Sequence, residues 1–279
     1  MNNIAEAGLL GPDSVSWRVQ TDPAVIAGGL SALFLQALHP LAMAGVFQHS
    51  SYADDFWPRF QRTVDYVNTV NFGTVAEAES VAAKVRRIHS FVRGTDPVTG
   101  LTYSADDPKL ITWVHVTEVH GFVNAVQRAG LKLSAGDVDR YYQEQVPIAG
   151  LLGGADVPAS ASEVENYLQQ MQPELVCSPA TRDGARLLLA PPMSWKLRAL
   201  TPAQPGWAVL ASLGFCLMPS WARRLYRLPG WITTDIGATI ALRGLRRAAL
   251  QVPERQRLGP TVLAAKARGD VASATAGRV

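Results

Sequence analysis

Arg59, Arg62, Thr63 and Tyr66 recur at i, i+3, i+4 and i+7, which is one face of a helix. Two guanidiniums, a hydroxyl and a phenol in one row could hold an anionic group and polarise a reactant in a cleft. The same row is also compatible with a solvated face that happens to carry two cations. Further on, His89 has Arg86 and Arg93 on its own face, at i−3 and i+4. Nearby positive charge disfavours protonation, so the imidazole keeps a lone pair, as a metal ligand must. A half-buried histidine bonded to a backbone carbonyl is the alternative. His39 lies within an apolar run and either touches a ligand or bonds the backbone freed by Pro40. His115, Glu118 and Phe122 share a face at i, i+3 and i+7, while His120 points elsewhere.

These residues need helices to position them. The first begins after Asp54-Asp55 with Pro58 in its opening turn, and the second follows Gly73-Thr74 and reaches Arg93. Upstream, the apolar run 24–47 approaches the length of a membrane span, but Gln36, His39 and Pro40 interrupt it. It reads as a buried helix broken at His39-Pro40, with Gly28-Gly29 open to close approach by another helix or a flat cofactor. The segment 95–100 is turn-rich, and a helix 109–129 starts from Asp106 or Asp107 with Pro108 in its first turn. Helices are expected over 134–145 and 160–171, with Ser162-x-x-Glu165 as a capping box and 150–154 as a glycine-rich loop. The apolar stretch 207–218 is too short to span a bilayer and reads as core. Together with Trp221, Arg223, Arg224, Tyr226 and Arg227 it could instead make peripheral membrane contact. Pro229-Gly230-Trp231 reads as a turn and 233–250 as a last helix. Residues 255–279 read as a disordered tail after a single all-α domain, 1–254.

Composition narrows the function. The 279 residues are 48% hydrophobic, enough for a full core. The net charge is +3, but Lys and Arg are spread among acids and no basic tract carries interleaved aromatics, which speaks against nucleic acid as a partner. Cys177 and Cys216 are far apart in apolar settings and form neither a disulfide framework nor a zinc cluster. No CxxCH occurs, so any haem is held non-covalently. The chain has no HExxH, no phosphate-binding glycine loop, no GxSxG and no paired Glu-x-x-His for a di-iron centre. The first residues lack a basic segment leading an apolar run, so a cytoplasmic location is expected.

The ordered set Gln36-Ala-Leu-His-Pro40, Arg59-Phe-Gln-Arg-Thr63, Phe72-Gly-Thr74, Arg86-Arg-Ile-His89, Tyr103-Ser-Ala-Asp106 and Trp113-Val-His115 resembles the catalytic domain shared by the rubber oxygenases, or latex clearing proteins, and a fungal oxygenase of mycophenolic acid biosynthesis. The resemblance spans roughly 20–250. It implies a globin-like helical fold binding haem b, dioxygen and an apolar small-molecule substrate. By the same resemblance, His89 is the axial iron ligand, Arg59, Arg62 and Thr63 lie on the distal side, and Arg86, Arg93, His39 and His115 are further cofactor-binding candidates. Two positions depart from the pattern. Arg62 stands where rubber oxygenases carry a lysine, and a guanidinium stays protonated and cannot coordinate iron. The acidic residue near their haem has no counterpart in Leu41-Ala-Met-Ala44. The expected activity is therefore a haem-dependent oxygenase acting on a small molecule rather than on polyisoprene. The alternatives are a non-catalytic haem carrier or sensor and a haem-free protein binding an apolar ligand.

Overall fold

The computed structural model describes residues 8–49, 55–227 and 232–276. The sequence-predicted turn at Pro229-Gly230-Trp231 lies outside them. The described helices begin with α1 (Val15–Gln20), α2 (Val25–Gln36), α3 (Pro40–Gln48), α4 (Phe56–Phe72) and α5 (Val75–His89). A short hairpin of β1 (Arg93–Thr95) and β2 (Thr102–Ser104) follows, then α6 (Pro108–Arg128), α7 (Ala135–Leu152), α8 (Ala161–Met171) and α9 (Pro179–Leu189). The chain closes with α10 (Trp195–Leu200), α11 (Ala203–Leu217), α12 (Ser220–Leu225), α13 (Ile232–Ala249), α14 (Glu254–Arg257) and α15 (Pro260–Ala276). The architecture is all-α. The hairpin was not foreseen in the sequence; its two three-residue strands bracket the expected turn-rich loop.

The middle layer is α2, apolar on nearly every side and therefore enclosed by other helices. Its glycines face α6, not a flat cofactor. A Cβ on Gly28 would stand 2.5 Å from the Gly121 carbonyl oxygen, and one on Gly121 equally close to that of Gly28. Backbone thus lies on backbone between α2 and α6. On the other side, Gly214 of α11 sits against Leu30 and Ala27. This stack buries Leu30, Phe34, Trp113, Val116, Val123 and Leu217, each worth roughly 1.5–3 kcal/mol of transfer from water. At His39-Pro40 the chain bends by 100° between α2 and α3. Pro40 takes the first helical position, where its missing N–H costs nothing. Among the described residues no single helix is long and apolar enough to cross a membrane.

The site-bearing pair, α4 and α5, packs on this stack. Asp55 stands at the N-cap position of α4 without a side-chain capping bond, and Thr74 with Glu77 forms a capping box on α5. The start of α4 is pinned by aromatic edges: Trp57 and Phe60 meet Trp207 of α11 at 4.9 and 5.4 Å, and Trp57 Nε1 donates to the Pro192 carbonyl at 2.6 Å. Trp207 is thus partly buried against the start of α4. The end of α4 lies in a second cluster of Leu10, Trp17, Val70, Phe72, Val262 and Ala265.

Four sequence expectations change here. The second helix of the site pair was expected to reach Arg93, but α5 ends at His89 and Arg93 lies in β1. The segment expected as a disordered tail instead carries α14 and α15, with Val262 and Ala265 buried and Arg268 donating to the Phe72 carbonyl at 2.6 Å. Small side chains hid its packing, because alanine and glycine give little periodic signal. Helix α7 runs through Pro147 and Gly150 to Leu152, and only Gly153, at φ 94°, ends it in the left-handed conformation. The cap of α8 is Ser160, which accepts from the Glu163 amide at 3.3 Å; the same three-residue spacing occurs two positions before the predicted box.

Candidate functional site

The α4 face divides. Arg59 and Tyr66, seven residues apart and almost in line on the helix, turn inward and are half-buried. Arg62 and Thr63 fall to either side and are exposed: Arg62 pairs with Asp55 at 2.5 Å, and the Thr63 hydroxyl donates to the Arg59 carbonyl at 3.1 Å. The Tyr66 hydroxyl is buried with no hydrogen-bond partner. Burial pushes its pKa well up, with the Glu118 charge adding to the rise and Arg86 opposing it.

His89 is the last residue of α5 and is half-buried. Burial lowers its pKa, Asp106 works against this, and Arg59 lowers it further. The imidazole is therefore neutral at neutral pH, with a lone pair available, and its Nδ1 is buried without a partner. The hairpin delivers Asp106 to this histidine: Arg93 pairs with Asp106 at 3.0 Å, and the Ser104 hydroxyl also donates to that carboxylate, holding it below its ordinary range. Arg86 is exposed and its Nη1 donates to the Leu151 carbonyl at the end of α7. Both Arg86 and Arg93 are thus engaged with protein groups at the surface.

From α6 come His115 and Glu118, one turn apart. Burial pushes His115 down to about 4, against a hydrogen bond to the Gln145 backbone that raises it, and Nε2 has no partner. Burial pushes the Glu118 carboxyl up to about 7. Its charge bears on Tyr66 of α4 and Tyr141 of α7, so it stands in a polar interior between three helices. Glu118 stood on the face of His115 and Tyr66 in the row read as a cleft lining, but neither was assigned a role at the site. Their signal was present nonetheless, as the i+3 partner of His115 and the i+7 partner of Arg59. His39 is 4% exposed and faces other groups: Nε2 is 3.8 Å from Glu174 Oε2, and the ring lies 5.9 Å from Trp113.

Among the described residues no three His, Cys, Asp or Glu side chains converge as a metal cage. The interior offers single imidazoles beside a cation, a phenol and a carboxyl poised near neutrality.

These residues lie in an all-α architecture. The chain belongs to the family described as ER-bound oxygenase mpaB/B′/rubber oxygenase, catalytic domain, whose model matches residues 17–251. That match runs from α1 through α13 and leaves α14 and α15 outside it. No curated protein and no solved structure matches the chain.

Proposed function

We propose that this chain is a haem b-dependent oxygenase acting on an apolar small molecule, with His89 as the axial iron ligand. The observation that carries the reading is His89 itself: a neutral, half-buried imidazole at the end of α5, facing Arg59, in a chain of an oxygenase family. A porphyrin brings four equatorial nitrogens, so one imidazole suffices where no three-residue cage is built among the described residues. The orphaned buried atoms Tyr66 Oη, His89 Nδ1 and His115 Nε2 suit a polar-edged cofactor among α4, α5 and α6.

When bound, haem would supply a redox-active iron for chemistry with dioxygen. The protein supplies the rest. His89 anchors the group and stays deprotonated because burial and Arg59 disfavour its charged form. Arg59 holds negative charge, whether of a propionate or developing on the reactants. Glu118, pushed up to about 7 by burial, can hold or release a proton within this interior. Arg62 and Thr63 act from the rim, fixing the helix that carries Arg59. A cytoplasmic location accords with the two unpaired cysteines, Cys177 and Cys216. Peripheral membrane contact, if made, falls to α10, where Trp195 and Leu200 are exposed beside Lys196 and Arg198.

A non-catalytic haem carrier or sensor is the second reading, favoured by the outward turn of Arg62 and Thr63. Absorption spectra of the oxidised and reduced protein, with a pyridine haemochrome assay, test both. A Soret band with one b-type haem per chain is expected, and oxygen uptake with apolar substrates then separates enzyme from carrier. A colourless protein that cannot be reconstituted overturns both haem readings and leaves an apolar-ligand protein.

A further inference from the structure

An open cleft of about 620 Å³ lies among α6, α11, α12 and α13. Neither His89 nor Arg59, Tyr66, His115 or Glu118 lines it. Its chemistry centres on Arg223, whose side chain is 2% exposed. One guanidinium nitrogen, Nη2, donates to both oxygens of Asp235, at 3.0 and 2.8 Å. The other two, Nε and Nη1, are buried without partners. Arg128 lines the same cleft and also faces Asp235, at 3.6 Å, while its donors are taken by Thr239 and by the carbonyls of Cys216 and Asp235. Two guanidiniums therefore share one carboxylate, and one positive charge is left without a counterion in a desolvated place. His120, in the same wall, is kept neutral by burial and adds no charge.

A buried, half-satisfied guanidinium is expensive, and the group that relieves it is a monoanion able to accept from a planar fork. The rest of the cleft is mixed: Asn124, Ser220, Thr239 and a third guanidinium, Arg243, which donates to the Arg128 carbonyl at 3.1 Å, lie beside its apolar residues. Leu217 and Met218 lie at its base, and Ile236 and Ile240 stand on the rim 55% and 65% exposed. We infer that this cleft binds an amphiphilic carboxylate, its head on Arg223 and its alkyl chain along Ile236 and Ile240. The site is separate from the proposed haem site and does not depend on that reading.

Calorimetric titration of the full chain, as purified, with decanoate tests this, with decanol and inorganic phosphate as comparisons. One decanoate per chain is expected, with the uncharged decanol and the tail-less phosphate each weaker by about tenfold or more. Arg223→Gln would take away the closer of the two guanidinium partners of Asp235 and could unfold the chain. Ile240→Glu, at an exposed rim position, keeps the fold and sets a like charge beside the ligand, lowering decanoate affinity by about tenfold. Far-UV dichroism checks that the variant is folded. No heat with decanoate, equal binding of decanol or phosphate, or an unchanged affinity in Ile240→Glu would each overturn the assignment. So would displacement of haem by decanoate.

Discussion

Arg93 meets Asp106 at 3.0 Å across the hairpin, where Arg93 stands opposite Ser104, and this pair holds a carboxylate beside His89. Two short strands thus tune an imidazole that sits on a helix.

Removing that carboxylate has a definite sign. Asp106 raises the His89 pKa and Arg59 lowers it. In haem-free protein, Asp106→Asn should move the His89 titration to lower pH and Arg59→Gln to higher pH. Proton NMR of the imidazole checks both directions.

Haem retention should separate three residues. His89→Ala is expected to purify without a Soret band while keeping its far-UV dichroism. Arg59→Ala should retain most of its haem and lose oxygen uptake. Arg62, with a side chain 63% exposed and paired with Asp55, should matter little: Arg62→Ala is expected to change stability by no more than about 0.5 kcal/mol. If His89→Ala kept full haem, the axial assignment would be wrong.

The polar interior gives stability a pH dependence with two opposed arms. Glu118 rises from its ordinary 4.5 to about 7 on folding. The unfolded chain is therefore the more ionised between those values, and stability falls as pH rises through them. His115 drops from 6.5 to about 4, so its contribution is lost as pH falls below 6.5 toward 4. Glu118→Gln abolishes the first arm only. From about pH 5 to about pH 8, urea unfolding should show the variant gaining on the parent by on the order of 2 kcal/mol.

Two glycine substitutions should part in sign. Gly28→Ala drives a methyl to 2.5 Å from the Gly121 carbonyl oxygen and should cost about 3 kcal/mol by prising α2 from α6. Gly150→Ala, in α7 with nothing within 4 Å of the added carbon, should gain about 0.5–1 kcal/mol from helix propensity. Thermal or urea unfolding distinguishes them.

Local signals in the chain were readable where one chemistry dominated. Pro40 broke the apolar run at the observed bend, Asp55 and Thr74 started α4 and α5, and Asp107-Pro108 opened α6. The site was legible only in part. Spacing put Arg59, Arg62, Thr63 and Tyr66 on one face, yet a face covers more than a right angle, and only its centre line turns inward. What approached Gly28 was undecidable locally, because the partner, Gly121, lies more than ninety residues away. Glu118 was passed over because its role comes from burial among α4, α6 and α7, a property of packing and not of neighbours in sequence.

The docking of α15 onto α4 has a temporal side. Val262, Ala265 and Arg268 close the cluster around Trp17 and Phe72, at the opposite end of α4 from the Trp207 contact. Every other described element emerges from the ribosome before them. A nascent chain can stack α2, α6 and α11 early and seat the end of α4 on Trp17 and Gln145, but the cover that α15 gives this cluster forms only after translation has passed residue 268. A chain stalled before α15 would leave the side of the cluster that Val262 and Ala265 cover open for chaperones to bind.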